Sequence, residues 1–313
     1  MQNKTFFETP ILFITFNRLD TTKKVFQKIK EQKPKKLYLA SDAAREEKPD
    51  EEKKVLAVRS YLKRNIDWDC EVKMLYQTKN LGCKFGPHNA ISWFFEHEEQ
   101  GIILEDDCLP SNSFFCYCET MLNRYKDDLR IFTISGFNYN SEYSPKNQPY
   151  FYAKLPMIWG WATWRDRWLQ NLKMIENFEI INKDPLSQSI SNDSAVSKII
   201  IDNAKLSIDN KVDVWDYLWL FTNYINNALS TFPSKNLIEN IGYGTDATHT
   251  ASKGSHKIIP AIEIDSDWKK STIMLPYQKF DELLYKDLYN WKSLKEKITN
   301  PSHMLKVIKS RLN

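Results

Sequence analysis

Between Pro10 and Phe16 the chain reads Pro-Ile-Leu-Phe-Ile-Thr-Phe, an almost unbroken apolar run. A strand with no polar face must be covered on both sides, and a parallel sheet between two helix layers does this. The following segment agrees. Asp20, with Thr21 and Thr22 after it, suits a helix N-cap, and Val25, Phe26 and Ile29 supply an apolar stripe to about Lys30. Lys36 to Ala40 predicts a second strand, closing on Ser41 and Asp42, and a charged segment then leads to a helix through Val55, Leu56, Val58, Tyr61 and Leu62. Glu71 to Tyr76 predicts a third strand, Gly82 to Phe95 a loop passing into an aromatic helix, and Gly101 opens a fourth strand. Alternation of this kind specifies an α/β layer whose ligands lie beyond the carboxyl ends of the strands.

The fourth strand runs into three carboxylates, Glu105-Asp106-Asp107, ahead of Cys108-Leu109-Pro110. Side chains alternate along an extended chain, so Glu105 and Asp107 are expected on one side and Asp106 on the other. Three like charges repel unless a cation or a donor-rich ligand meets them. Hard oxygen ligands at a strand end suit Mg²⁺ or Mn²⁺ bridging to a substrate's phosphates, and the plainer alternative is an acidic cap facing solvent. Arg18 and Asp42 fall just past the ends of the first two strands. Arg18 can pair with a phosphate or stack on a base, and Asp42 can accept from a base N–H or a ribose hydroxyl. Each alone reads as a loop residue; together with the triplet they point to a nucleotide crevice.

Farther along, Phe114 to Tyr125 predicts a helix, with Ser111 or Ser113 as its cap, and Ile131 to Ile134 a strand. Asn138 to Pro149 reads as a long loop. Trp159, Trp161, Trp164 and Trp168 fall within ten residues and fit either a sugar-stacking surface or a core corner. Leu172 to Ile208 is polar and helical. Asp213-Val214-Trp215-Asp216 opens an aromatic helix to about Ala228, where the acids serve either the helix dipole or general-base chemistry. Leu229 to Pro233 is a short strand, and Asn240 to Thr250 is a glycine-punctuated loop holding His249. A Lys-rich tail begins at Lys279, and His303 to Leu312 forms a basic amphipathic helix that reads as a packed or solvated terminus, with anionic lipid headgroups an open alternative.

The 313 residues are 42% hydrophobic, enough for a large core, and 44 basic against 40 acidic groups give no electrostatic case for nucleic acid. The five cysteines lack metal-finger spacing and an even disulfide framework, so reduced thiols and a cytoplasmic location are expected. Neither a cleavable leader nor an apolar stretch of membrane-spanning length is apparent.

Ile14 to Arg18, Ser41-Asp42, Lys84 to Ala90, Ile103 to Pro110, Gly160-Trp161, Trp215-Asp216 and Gly242 to Thr250 follow one another over roughly residues 10 to 250. In that order they resemble the GT-A-fold glycosyltransferases, and within them the β-1,2-N-acetylglucosaminyltransferase I family and small bacterial glycosyltransferase-like proteins. The resemblance implies a Rossmann-like, mainly parallel mixed sheet flanked by helices. It implies a catalytic domain over residues 1–270, its nucleotide-binding part about 1–110 and its acceptor part about 111–270, followed by a basic helical extension over 271–313. Arg18 and Asp42 would contact the nucleotide with His88 beside it. Asp107 would bind Mn²⁺ or Mg²⁺, and Glu105 and Asp106 would reach the donor's sugar and ribose. Asp216 would be the general base of an inverting transfer from a UDP-sugar, such as UDP-N-acetylglucosamine, to a glycan or polysaccharide. Trp161 and His249 would be acceptor or phosphate contacts. The chain departs from that family in having Asp216-Tyr217 where the family has an Asp-Asp pair, in lacking a membrane anchor and stem, and in matching poorly over Asn138 to Lys211. A sugar-nucleotide nucleotidyltransferase and a non-catalytic carbohydrate-binding protein are the competing readings. The former usually carries a glycine-rich loop where this chain has Thr15-Phe16-Asn17-Arg18.

Overall fold

A computed structural model describes residues 6–190, 194–242, 258–265, 267–269 and 273–288, with the side chains of 187–189 excepted. His249 and the basic segment His303 to Leu312 lie outside the described residues. The first half alternates as its apolar periodicity demands. Strands β1 (Ile11–Thr15), β2 (Lys36–Ser41), β3 (Glu71–Tyr76) and β4 (Gln100–Glu105) are separated by helices α1 (Leu19–Gln32), α2 (Glu51–Asn65) and α3 (Gly82–His97). Then come β5 (Cys108–Pro110), α4 (Asn112–Tyr125), β6 (Ile131–Ser135), β7 (Tyr150–Ala153), β8 (Trp161–Trp164) and α5 (Arg165–Asn177). The remainder supplies α6 (Asp184–Ile190), α7 (Ser194–Ile208), α8 (Asp216–Ile225), β9 (Leu229–Pro233), β10 (Ile238–Asn240) and α9 (Gln278–Leu288).

Eight strands form one sheet in the order β3-β2-β1-β4-β8-β6-β9-β7, and β5 pairs with β10 in a separate two-stranded ribbon. The half from β3 to β4 is wholly parallel. Beyond it, β8 is antiparallel to both β4 and β6, β9 is parallel to β6, and β7 is an antiparallel edge. The fold class is therefore α/β, a mainly parallel mixed sheet flanked by helices, as expected.

Strand β1 shows why. Ile11 and Phe13 enter the core on the side of Val25, Phe26 and Ile29 of α1, while Leu12 enters the opposite core with Ile91 and Phe94 of α3. All three strand residues are fully buried, so a polar residue on either face would be left without water. The second core continues into an indole cluster. Trp161 stacks on Trp215 at 5.9 Å between ring centres and meets Trp219 at 5.3 Å; Trp168 lies 6.2 Å from Trp215 and 5.5 Å from Trp219. Past residue 270, the described chain packs on the same body. Tyr277 N donates to Tyr152 O at 2.7 Å, and Asp281 accepts from the backbone N–H groups of Lys154 and Leu155.

Candidate active site

The carboxyl ends of β1, β2, β3 and β4 lie side by side, and a cavity of about 580 Å³ opens over them. Its walls come from Ile14 to Phe16 and Arg18, from Ala40 to Asp42, from Leu75 and Gln77, and from Glu105 to Asp107; the start of α3, Trp159 and Asp213 to Tyr217 are among the rest. The strand alternation expected to separate Asp106 from its neighbours stops at Glu105. The chain turns through Asp106 and Asp107, and all three acids line the cavity.

Backbone and side chain of the β1–α1 turn meet this triplet. Phe16 N–H donates to Asp106 Oδ2 at 3.2 Å, and Arg18 Nη2 donates to Asp107 Oδ2 at 3.0 Å and, in a shorter contact, to Asp106 Oδ1. Asp106 is 3% exposed. Burial raises the pKa of Glu105, with Asp107, Asp106 and Asp216 adding to the effect and Arg18 opposing it. Burial likewise raises that of Asp106, against the pull of Arg18. Desolvation works against the Arg18 cation, but the two carboxylates outweigh it and keep the guanidinium charged.

Asp42 is engaged differently. Its carboxylate accepts from the N–H groups of Ala43, Leu81 and Gly82 and from Asn80 Nδ2, all between 2.8 and 3.1 Å. Asp213 accepts from the next two amides, Cys83 N at 2.9 Å and Lys84 N at 2.7 Å. Two carboxylates thus satisfy the amides that open α3, which its own Leu81 N-cap cannot do. Arg45 lies over the Phe16 ring at 5.6 Å and is gripped by Glu51. Arg59 bonds to the carbonyls of Ser41, Asp42 and Gln77, tying the ends of β2 and β3 together.

The cavity wall therefore carries six carboxylates (Asp42, Glu105, Asp106, Asp107, Asp213, Asp216) against two guanidiniums, Arg18 and Arg45. Among the described residues no three His, Cys, Asp or Glu side chains converge into a metal cage. Mg²⁺ and Mn²⁺ need none when one or two carboxylates are completed by water and phosphate, so the surplus of acids fits such an ion.

Arg18, Asp42, Glu105, Asp106, Asp107 and Asp216 all line the cavity; His88 and Trp161 do not. His88 faces α5, its ring 5.2 Å from Trp168 and its Nε2 3.4 Å from Asn171 Nδ2. Burial, and then the Lys84 cation, hold its pKa down at about 4, so it is neutral. Trp161 is fully buried in the indole cluster, where no acceptor sugar reaches it. The half-buried Trp159 is on the wall instead. Trp159 belonged to the tryptophan-rich stretch that drew notice in the sequence, whereas Arg45, in a charged segment, gave no signal. Asp213 gave one, but toward its own helix and not toward α3.

No protein-family model matches the chain, and no curated protein matches it. Solved structures with some likeness include a mannosyltransferase from Pyrobaculum calidifontis in complex with GDP-Man and Mn²⁺, at 14% identity and a TM-score of 0.36. That match covers 54% of this chain and about half, 47%, of the mannosyltransferase. A UTP-bound UGPase from Acinetobacter baumannii is 8% identical with a TM-score of 0.36, covering 74% of this chain and 88% of the other. HddC from Yersinia pseudotuberculosis is 8% identical with a TM-score of 0.30, covering 51% and 78%. Overlaps this loose bear on neither activity nor ligand.

Proposed function

We propose that this protein is a metal-dependent inverting glycosyltransferase that moves a sugar from a UDP-sugar to a hydroxyl of a glycan or polysaccharide. The observation that carries the reading is the surplus of carboxylates at the ends of four parallel strands, with Asp216 across the same cavity. Asp107, with Glu105 beside it, would hold Mn²⁺ or Mg²⁺. When bound, the ion supplies positive charge against the departing diphosphate. Arg18 pairs with Asp106 and Asp107 on the cavity wall and is placed to turn to the diphosphate. Asp42 acts on the nucleotide through the Asn80–Gly82 turn that it shapes, and Trp159 offers an indole face to a sugar ring.

Asp216 takes the proton from the acceptor hydroxyl as its oxygen bonds to the anomeric carbon. The bond from that carbon to the β-phosphate oxygen breaks on the opposite face, and UDP leaves with the electron pair. The test is a panel of sugar nucleotides offered to the purified protein with and without Mn²⁺. UDP release that needs both a UDP-sugar and the metal supports the reading. Pyrophosphate formed from UTP and a sugar 1-phosphate would make it a nucleotidyltransferase, and sugar binding with no nucleotide requirement would make it a carbohydrate-binding protein.

A further inference from the structure

Asp213 precedes α8 by three residues and is solvent-exposed, yet both of its carboxylate oxygens are used. Oδ2 accepts from Cys83 N at 2.9 Å and Oδ1 from Lys84 N at 2.7 Å, more than a hundred residues away in sequence. The approach is close enough to constrain its partner. Gly82 has φ +75°, and a Cβ there would lie 2.6 Å from Asp213 Oδ2, so only glycine leaves room for the contact. A second tie runs beside it: Lys84 Nζ donates to Ser207 O and to Asn210 Oδ1, the latter at 2.7 Å, and Ser207 Oγ donates to Val214 O at 2.6 Å. The end of α7, the segment leading to Asp216 and the first turn of α3 are thus fastened together. Asp42 holds the two amides immediately before those that Asp213 takes, so one helix start joins the Asp42 side of the cavity to the Asp216 side.

We infer that Asp213 is a positioning residue: its grip on the first turn of α3 sets the segment carrying Asp216 at the distance from the nucleotide end that transfer requires. The inference rests on the transferase reading given above. Asp213 touches no reacting atom in this scheme; it acts through the backbone that it anchors. An amide at this position keeps the size but loses the charge and one of the two accepting oxygens.

The experiment compares the wild-type 313-residue protein with Asp213→Asn by steady-state kinetics and by hydrogen–deuterium exchange. Losing a charge-assisted bond should lower kcat for transfer about 10-fold and speed exchange across residues 209–217 by a similar factor. The donor KM and Mn²⁺-dependent UDP affinity should stay within about 2-fold of wild type, because the leaving-group end is untouched. Unchanged kcat and exchange would overturn the inference. A fall in kcat matched by equal losses of UDP affinity and melting temperature would also overturn it, since that is what a general structural defect gives. If the wild-type protein transfers from no UDP-sugar, the transferase reading fails; faster exchange in the variant would then leave Asp213 a structural tie only, and the positioning role falls with it.

Discussion

Replacing Gly242 with alanine probes the cavity where the chain leaving β10 meets the acidic triplet. A methyl group at Gly242 would lie 2.9 Å from Asp107 Cβ and 3.0 Å from Arg18 Nη1, and closer still to Asp107 Oδ2. Carbon contacts settle near 3.5–4 Å, so something must move by about 1 Å. Gly242 cannot easily yield, because Asn240 pairs with Cys108, Ile241 N donates to Asp107 O at 2.8 Å, and Gly242 N donates to Asn240 Oδ1 at 2.9 Å. The Asp107 carboxylate cannot turn aside without leaving Arg18, which it meets at 3.0 Å. A charge-assisted bond contributes about 1.5–3 kcal/mol, and Arg18 and Asp107 are each about one-fifth exposed, so the lower figure applies. Displacing the carboxylate also weakens its hold on the metal, a charge-assisted contact of the same size, so affinity for UDP with Mn²⁺ should fall roughly tenfold. Calorimetry with UDP and Mn²⁺ is the assay, with circular dichroism to confirm that the variant is folded. A folded Gly242→Ala protein that binds as tightly as wild type would refute the placement of Asp107 in the ligand site.

Asp107→Ala is expected to abolish metal-dependent UDP binding, and calorimetry showing unchanged affinity would remove Asp107 from the metal site. Asp216→Asn should keep donor affinity and lose transfer by about 10²-fold or more, the usual scale for a general base; a full-rate variant would end its assignment. His88 predicts a pH effect on folding. Its pKa falls from 6.5 to about 4 on burial, so the native state binds fewer protons between those values. The stabilisation is complete above pH 6.5 and is lost as pH drops through 4, by at most about 3 kcal/mol. Urea melts of wild type and His88→Gln at pH 7 and pH 4.5 should therefore converge toward the acidic end, and parallel curves would contradict the burial.

The parallel half of the sheet was legible because β1, β2 and β4 are apolar on both faces and α1 carries a clean apolar stripe. Strands β7 and β8 were not. Tyr150–Ala153 and Trp161–Trp164 are short, wholly buried and without alternation, so neither period marks them. The start of α3 reads as loop in the sequence because Gly82, Gly86 and Pro87 discourage a helix locally. The groups that overrule them, Asp42 and Asp213, arrive from 40 and 130 residues away. Glu263 acts likewise on α4: it accepts from the amides of Asn112 and Ser113, the work expected of a nearby serine. In the site, Arg18 and the triplet were readable from their places at strand ends. Trp161 was not separable from Trp159 by spacing, since the two lie on either side of Gly160 and only the sheet decides which one turns inward.

The indole cluster has a practical consequence. Trp215 edges the cavity and also stacks on Trp161, which with Trp168 and Trp219 lies within energy-transfer range. Excitation absorbed by any of the four can reach Trp215 on the cavity wall, so the chain carries its own optical reporter. A molecule that settles against Trp215 would register in the protein's native emission with no dye attached.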